Sequence, residues 1–362
     1  MTIRRSIILA AALLVGAAPL ASARSSAEHG DGRSLYVGKV PLETTKSGDV
    51  FQLKDPTRGN ISTWDAWNQD CRTTGCSGQA PTLFTDTDNH WADDATAERA
   101  AAAVDAQYDS AMVWDFYKNV FGRLGPDGRG KGWANRVHVG RQLLLATWDP
   151  ECYCIDFGDG DGRRGPFTTL DVTARMVTFV VTSNTAGLGY EGEPGALNEA
   201  TSDIMAAAVE FYANNPFDPA DYLIGERNFP ESPDPSVVRF MDRPSRDGQS
   251  PDAWSPDVGK MDPRFSSGVA DHFFFLLAEG SGKKFINGVS YDSPTSNGST
   301  IKGIGIDAAT KIWYTALTEE MQFRTDYADA RRATLAAAGA LFGRDSVQYA
   351  TVAAAWSAVN VK

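Results

Sequence analysis

The pattern of apolar and polar residues divides the chain into two halves at about residue 170. From Ser34 to about Phe167, short apolar runs such as SLYVGKV and GRQLLLATW alternate with turn residues, which is typical of β-structure. One Ala-rich segment in this half, TAERAAAAVDAQYDSAMVWDFYKNVFG, has the apolar spacing of a helix. From about Leu170 onward the apolar spacing is helical, and Gly or Asn ends the segments. The pattern predicts an α+β protein with a β-rich domain over residues 34–170 and an α-helical domain over residues 171–362.

The first 33 residues are expected to lie outside both domains. Arg4 and Arg5 precede an apolar run from about Ser6 to Leu20, and the small residues ASA end at Ala23. This layout is typical of a secretory signal peptide over residues 1–23; the alternative is an uncleaved anchor, for which the run is short. Residues 24–33, RSSAEHGDGR, are small and polar and predict a short disordered lead. We therefore expect a secreted, extracellular protein with no membrane contact after cleavage.

Charge and cysteine content narrow the possible partners and the compartment. The formal net charge is −12 and the isoelectric point is about 4.8, which excludes nucleic acid and anionic membranes as partners. The four cysteines form no CxxC…CxxC pattern of the kind that binds structural zinc. Export permits disulfides, and four cysteines allow three connectivities. We expect the local pairs Cys71–Cys76 and Cys152–Cys154.

A series of motifs along the chain resembles one family of secreted enzymes. The motifs are, in order, DPTRGN, FTDTDNHW, RAAAAVDAQYDSAMVWDFYKNVFGR, RVHVG, FGDGDG, TAGLGYEGEPGALNEATSDI, VEFYANN, DYLIGE and SSGVADHFFFLLAEG. Together they resemble the thermolysin family of secreted neutral zinc metallopeptidases, especially its actinobacterial branch, from about residue 34 to residue 361. The resemblance implies a β-rich N-terminal domain, an α-helical C-terminal domain, and a cleft between them that a central helix crosses.

The resemblance breaks down at the zinc motif. In that family the central helix carries HExxH, whose two histidines bind zinc and whose Glu is the general base. The family frame DVxxHExxHxVT aligns here with DVTARMVTFVVT. Arg175 and Phe179 therefore replace the two histidines, and Met176 replaces the base. The run VTFVVT is also rich in β-branched residues and taken alone fits a buried strand, but the resemblance on both sides favours a helix.

Other site positions are partly retained by the same alignment. Glu199 occupies the position of the third zinc ligand, and Asp203 that of the residue which orients a ligand histidine. Tyr190 and Arg239, which in the family contact the substrate carbonyl and the oxyanion, are also present. The two losses are the transition-state histidine, replaced by Arg264 in PRFSSG, and the substrate-binding Asn, replaced by Leu145 in LATW.

Two expectations follow for the former zinc position. Loss of zinc leaves Glu199 and Asp203 in need of a positive partner, and Arg175 is the candidate, with Arg264 as a second possibility; the alternative is simple drift. The histidines His29, His90, His138 and His272 are too scattered to predict a relocated zinc site. His272, among three phenylalanines, is expected to be structural. We therefore predict that zinc is absent.

Calcium is the metal that the resemblance favours. In the family, the residues matching Asp171, Glu210, Asp221 and Glu226 bind calcium, and carboxylate oxygens suit this hard cation. Asp86 and Asp88 match another calcium loop of some relatives. The alternatives are a helix cap for Asp171 and turn acids for the rest.

The resulting functional prediction is a catalytically silent homologue, a pseudo-peptidase. It would keep the cleft of a metallopeptidase and use it to bind a peptide or an exported protein, and we expect a monomer. The alternative is an active secreted metalloendopeptidase that cleaves peptide bonds with an unconventional site.

Overall fold

In the computed structural model, the residues described are 25–70, 76, 78–93, 97–228 and 239–362. The expected signal peptide, residues 1–23, lies outside the described residues. Strands dominate the first half and helices the second, as the sequence predicts. Among the described residues, no helix combines the length and the apolar character that crossing a bilayer requires.

Two sheets form the N-terminal half. The first has the strand order β7-β3-β2-β1-β8, and the second has the order β10-β11-β9-β5-β4, with β6 paired to β5. The helix α1, Ala97–Phe121, packs on strands of both sheets. The strands are β1 Ser26–Arg33, β2 Lys39–Ser47, β3 Val50–Gln52, β4 Lys54–Asp55, β5 Ile61–Asp65, β6 Thr82–Leu83, β7 Thr85–Asp86, β8 His90–Trp91, β9 Ala134–Val137, β10 Ala146–Asp149 and β11 Cys154–Phe157.

The first strand corrects one expectation. The prediction of a disordered lead over residues 24–33 is wrong for Ser26–Arg33, which pairs antiparallel with β2 along its whole length. The small residues of this strand allow close packing and do not indicate disorder. A Cβ atom at Gly30 would lie 2.4 Å from the Asn89 side chain, and one at Gly32 would lie 2.7 Å from Val104. Hydrogen bonds between the backbones of β1 and β2 order this strand, although its polar side chains do not form the apolar pattern by which a strand is predicted.

The C-terminal half is built around two adjacent helices, α2 and α3. The segment VTFVVT lies within α2, so the helix favoured by the resemblance is confirmed and the strand is not formed. The helices are α2 Leu170–Ser183, α3 Gly192–Ala213, α4 Pro263–Ser266, α5 Gly268–Ala278, α6 Ile306–Thr315, α7 Tyr327–Phe342 and α8 Val347–Ala358, and a π-helical turn, Ala316–Glu320, follows α6. Two hairpins accompany them, β12 Leu223–Ile224 with β13 Arg239–Phe240 and β14 Gly282–Ile286 with β15 Val289–Ser293.

One large apolar core joins the two halves. It contains buried residues of α1, α2, α3 and α5 together with residues of the first strands. The Tyr117 hydroxyl of α1 and the Thr178 hydroxyl of α2 form a buried hydrogen bond of 2.7 Å inside it. Helix α2 is therefore fixed from both sides, and the side chains it carries toward α3 have defined positions.

One of the two expected cysteine pairs is present among the described residues. Cys152 and Cys154 form a disulfide. Cys76 is also disulfide-bonded, and its expected partner Cys71 lies outside the described residues.

Candidate functional site

Helices α2 and α3 bring an arginine against two carboxylates at the position of the expected zinc site. Glu199 and Asp203 are four residues apart on α3 and share one face of the helix. Arg175 of α2 spans both: its Nε donates to Asp203 Oδ1 at 2.5 Å, and its Nη2 donates to Glu199 Oε2 at 2.6 Å. The predicted pairing of Arg175 with these acids is therefore confirmed.

A second arginine completes the cluster from β13. Arg239 Nη2 donates to Glu199 Oε2 at 2.9 Å, and its Nη1 donates to Asp203 Oδ2. The Tyr190 hydroxyl donates to the remaining oxygen of Glu199, Oε1. Arg239 and Tyr190, which the resemblance places in contact with a substrate, both hold Glu199. We call Arg175, Glu199, Asp203 and Arg239 the cleft cluster.

The charges of the cleft cluster balance. Burial acts to raise the pKa of Glu199, but Arg239, Arg175 and the Tyr190 hydroxyl outweigh burial and lower this pKa to about 2. Burial would lower the pKa of Arg239, yet Asp203 and Glu199 raise it above its ordinary value. Glu199 and Arg239 are therefore charged at neutral pH, and the cluster sets two guanidinium groups against two carboxyl groups.

A third acid lies behind the cluster and was missed. Asp271 of α5 is buried, and its Oδ1 has no hydrogen-bond partner among the described residues. Burial, reinforced by the nearby charge of Asp203, raises its pKa well above the ordinary value. A protonated Asp271 adds no charge to the cluster. Its sequence signal was an acid within the apolar segment GVADHFFFLLA.

Arg264 does not take part in the cluster, although the sequence left it as a possible partner of Glu199 and Asp203. Its side chain is 63% exposed, and its Nε and Nη2 donate to Asp262 at 3.1 and 2.7 Å. Phe179 is half-buried and packs edge-on against Tyr190, with ring centroids 6.2 Å apart. The second expected histidine position thus holds an aromatic contact.

A cleft of about 370 Å³ opens beside the cluster. Residues of both halves contribute to its walls, as the resemblance implies. Its apolar wall comprises Leu144, Leu145, Phe167, Val172, Met176 and Ile224, and its polar wall includes Arg175, Arg239 and Arg264. The volume is close to the lower limit of the ~300 to 1,000 Å³ typical of ligand pockets.

None of the four histidines contacts this cleft. His272 is buried and structural, as expected, because its ring nitrogens contact the Asp252 carbonyl at 2.7 Å and the Ser293 hydroxyl at 2.9 Å. The others have partners in the N-terminal half: His29 contacts Glu43, His90 contacts Asp31, and His138 contacts Asp159. Of the three positions expected to ligate zinc, only Glu199 has a donor atom for a metal.

The acids expected to bind calcium lie together at the other end of the α2–α3 pair. Glu210 Oε2 accepts from the Asp221 backbone N–H at 3.4 Å. Asp171 Oδ2 accepts from the Gly225 backbone N–H at 2.6 Å, and its Oδ1 accepts from the Val172 N–H at 2.7 Å. We call Asp171, Glu210, Asp221 and Glu226, together with the neighbouring Asp218, the loop-side cluster.

Electrostatics in the loop-side cluster are unbalanced. Burial and mutual repulsion raise the pKa values of Glu210 and Glu226 well above normal and that of Asp221 to about 7. Arg227 contacts the cluster, but it pairs with Asp218 at 2.6 Å. Glu226 Oε2 is buried and has no hydrogen-bond partner among the described residues.

These features fit a hard cation, although the oxygens are not gathered as they would be around an ion. Within the described ranges, no three of these acids bring carboxylate oxygens within 4.8 Å of one another. Carboxylate oxygens are the ligands that Ca²⁺ prefers. A bound cation would satisfy the unpartnered Glu226 oxygen and would favour the charged form of these buried carboxyl groups.

Helix α1 supplies two further acids that the sequence analysis missed. Asp105 and Asp109, one helical turn apart, are buried, and burial raises the pKa of Asp105 to about 7 and that of Asp109 well above normal. The charges of Asp171 and Asp218 act on Asp109. Two acids four residues apart within an Ala-rich helix were the available signal.

The second predicted calcium pair lies in a turn. Asp86 Oδ2 accepts from the backbone N–H groups of Asp88 and His90, and Asp88 Oδ1 also accepts from His90. These bonds are those of ordinary turn acids, the alternative left open by the sequence. Among the described residues, three side chains of metal-ligand type do bring their donor atoms together: Asp149, Cys152 and Cys154. The two sulfur atoms of this set form a disulfide with each other.

Comparison with known proteins gives the family. The family described as "Thermolysin metallopeptidase, catalytic domain" matches residues 29–183, and "Thermolysin metallopeptidase, alpha-helical domain" matches residues 186–361. In fold, the chain resembles the precursor of protealysin, a metalloproteinase from Serratia proteamaculans. The TM-score is 0.60 at 24% identity, covering 83% of this chain and 87% of the other.

Two relatives are longer than this chain. It is 51% identical to the transglutaminase-activating metalloprotease of Streptomyces mobaraensis, over 92% of this chain and 43% of the relative. It is 36% identical to the thermostable neutral protease NprT of Geobacillus stearothermophilus, over 96% of this chain and 59% of the relative. The chain thus spans about half the length of these relatives, and it belongs to the thermolysin family of metallopeptidases.

Proposed function

We propose that this protein is a secreted, catalytically silent member of the thermolysin family that uses its cleft to bind a peptide or an exported protein. The observation that carries the proposal is the cleft cluster, in which the Arg175 guanidinium bonds both Glu199 and Asp203. The acids that would serve a zinc ion are satisfied by the chain itself. Secretion rests on the signal-peptide pattern of residues 1–23.

The chemistry of the side chains supports loss of zinc. A guanidinium stays protonated in proteins and has no lone pair to give a metal, and the Phe179 ring has no donor atom. Catalytic zinc requires about three protein ligands and a water molecule. Glu199 alone cannot supply this set, and both of its oxygens already accept hydrogen bonds from Tyr190 and the two arginines.

The rest of the catalytic machinery supports the same conclusion. The Met176 thioether cannot accept a proton from water as a general base does. Tyr190 and Arg239, retained from the family pattern, both donate to Glu199, so those hydrogen bonds are not available to a substrate. Arg264 is paired with Asp262 at the rim. Among these described residues, none is left in place to activate water.

We also propose that the loop-side cluster binds calcium and so stabilises the fold. The support is the unpartnered Glu226 oxygen together with the raised pKa values of Glu210 and Asp221. The turn of Asp86 and Asp88 is a weaker candidate, because its oxygens already accept backbone hydrogen bonds.

Metal analysis of the purified protein tests the proposal. We expect calcium but less than 0.1 zinc per chain after dialysis (about a tenth of the single ion of a catalytic site), and no cleavage of casein or of a fluorogenic peptide with or without added zinc. The alternative of an active endopeptidase is favoured by the 51% identity to a protein named as a metalloprotease. One retained zinc ion per chain, with cleavage that a zinc chelator abolishes, would establish that alternative.

A further inference from the structure

We propose that the cleft recognises the end of a peptide chain: the Arg175 and Arg264 guanidinium groups bind a C-terminal carboxylate, and the apolar wall receives the last side chain. This inference rests on the proposed function, since it names the ligand of the same cleft. It differs from what a peptidase needs, because an endopeptidase must accept the middle of a chain.

The first support is a set of free donors. The Arg175 Nε and Nη2 atoms are bonded to Asp203 and Glu199, whereas Nη1 has no hydrogen-bond partner among the described residues. This atom is not among those sealed from solvent, and Arg175 lines the cleft. The guanidinium is held rigidly by its two ion pairs, so little side-chain entropy is lost when Nη1 binds a ligand.

Arg264 offers a second free nitrogen on the same cleft. Its Nε and Nη2 are bonded to Asp262, and its Nη1 has no partner in the described part of the chain. Arg264 lies close enough to the cluster for the charge of Glu199 to act on it. Two guanidinium nitrogens from different elements can thus approach the two oxygens of one carboxylate.

The charge distribution favours an anion over a neutral amide. The acids Glu199, Asp203 and Asp262 are each engaged with an arginine, and the raised pKa of Asp271 keeps that acid neutral. Asp247 also lines the cleft, and its carboxylate accepts from the Gln249 and Ser250 backbone N–H groups and from the Ser250 hydroxyl. The Nη1 groups of Arg175 and Arg264 therefore have no hydrogen-bond acceptor among the described residues and can donate to a ligand. A carboxylate accepts such charged hydrogen bonds more strongly than a peptide carbonyl does.

The remaining walls select the last residue. Leu144, Leu145, Phe167, Val172 and Ile224 give the cleft an apolar side, which favours a large aliphatic or aromatic terminal side chain. A volume of about 370 Å³ suits one or two residues rather than an extended segment.

Calorimetric titration with two matched peptides tests the inference. The probes are an acetylated pentapeptide that ends in leucine as the free acid and the same peptide as its C-terminal amide. We expect the acid to bind about 10-fold or more tightly than the amide. Equal affinities would overturn the carboxylate inference and leave peptide binding intact, whereas no binding of either peptide at millimolar concentration would overturn both.

Variants locate the interaction. Arg175→Met is expected to abolish the preference for the acid, and Arg264→Gln to reduce it about 3- to 10-fold. Since Arg175→Met also removes a buried ion pair, Arg264→Gln provides the test in a variant whose fold is not at risk. Its matched control is Arg332→Gln, which removes another exposed arginine paired with a nearby Asp but distant from the cleft. A preference for the acid that survives in Arg264→Gln and Arg175→Met alike would exclude this site.

Discussion

The cleft cluster and the loop-side cluster both contain buried carboxyl groups, but they differ in the positive charge that lies beside these groups. Both place buried carboxylates between α2 and α3, and Asp171 of one cluster is a single turn from Arg175 of the other. In the cleft cluster, two arginines of the chain neutralise two acids. In the loop-side cluster, one arginine faces five acids. The arginines of the chain neutralise the first cluster, whereas for the second we propose an ion from solution.

Under the proposed loss of zinc, a side chain of the protein takes the place of the metal ion in the cleft cluster. Glu199 and Asp203 lie on α3, and Arg175 on the facing helix α2 supplies a positive charge to both. A buried ion pair is not by itself a source of stability, because desolvation offsets much of its attraction. Removal of one partner lowers stability, however, because it leaves the other charge buried and unpaired. An arginine at residue 175 is therefore expected to be kept as long as Glu199 and Asp203 are present.

The largest expected effect comes from removing that arginine. Arg175→Met leaves Glu199 and Asp203 to share Arg239, and we expect the free energy of unfolding to fall by about 3–5 kcal/mol. Urea denaturation at saturating calcium measures this decrease in the free energy of unfolding. The control Arg264→Gln removes an exposed pair, and a loss below about 1 kcal/mol is expected. Equal losses in the two variants would show that the cleft cluster does not depend on Arg175.

Restoring the zinc motif is the next test, because it converts the cleft cluster back into a metal-dependent one. The triple variant Arg175→His, Met176→Glu and Phe179→His should bind zinc with Glu199, supported by Asp203. It should remain a poor peptidase, because Arg264 and Leu145 still occupy the positions of substrate-contacting residues and Arg239 still competes for Glu199. Adding Arg264→His and Leu145→Asn should raise kcat/KM about 100- to 1000-fold. Equal rates for the three-fold and five-fold variants would confine the loss to the metal site.

Acid titration distinguishes the two clusters because the pKa of Glu199 is lowered, whereas the pKa values of Glu210, Asp221 and Glu226 are raised. The pKa of Glu199, lowered to about 2, means that its charge stabilises the folded state above about pH 4.5 and that this stabilisation is lost as the pH falls toward 2. We expect the stability difference between the wild type and Glu199→Gln to shrink by about 3 kcal/mol between pH 5 and pH 2. Taking the difference at each pH cancels the contribution of the loop-side acids, whose raised pKa values act in the opposite direction. A difference independent of pH would mean that Glu199 is not held by charge.

Much of the fold and half of the site could be predicted from sequence. The α2 helix, the cleft and the pairing of Arg175 with Glu199 followed from motif positions and from the need of buried acids for a cation. The β1 strand could not be predicted, since its order comes from backbone pairing with β2 rather than from an apolar pattern. The ion pairs of Arg239 and the buried acids Asp109 and Asp271 were not predicted, because their partners are distant in sequence and only the packed structure brings them together.

The last prediction concerns the loop-side cluster and calcium. An ion that binds only the folded state stabilises it by mass action, about 2.7 kcal/mol at a concentration 100 times the Kd. We therefore expect a calcium chelator to lower the melting temperature of the wild type and to have a much smaller effect on Glu226→Gln, which loses the unpartnered carboxylate oxygen. The control Asp88→Asn alters an acid of the exposed turn and should respond like the wild type. If chelation instead affects Glu226→Gln as strongly as the wild type, the loop-side cluster does not bind the calcium ion. The five acids would then be neutralised by protonation, and the two clusters would differ only in whether arginines or protons neutralise their acids.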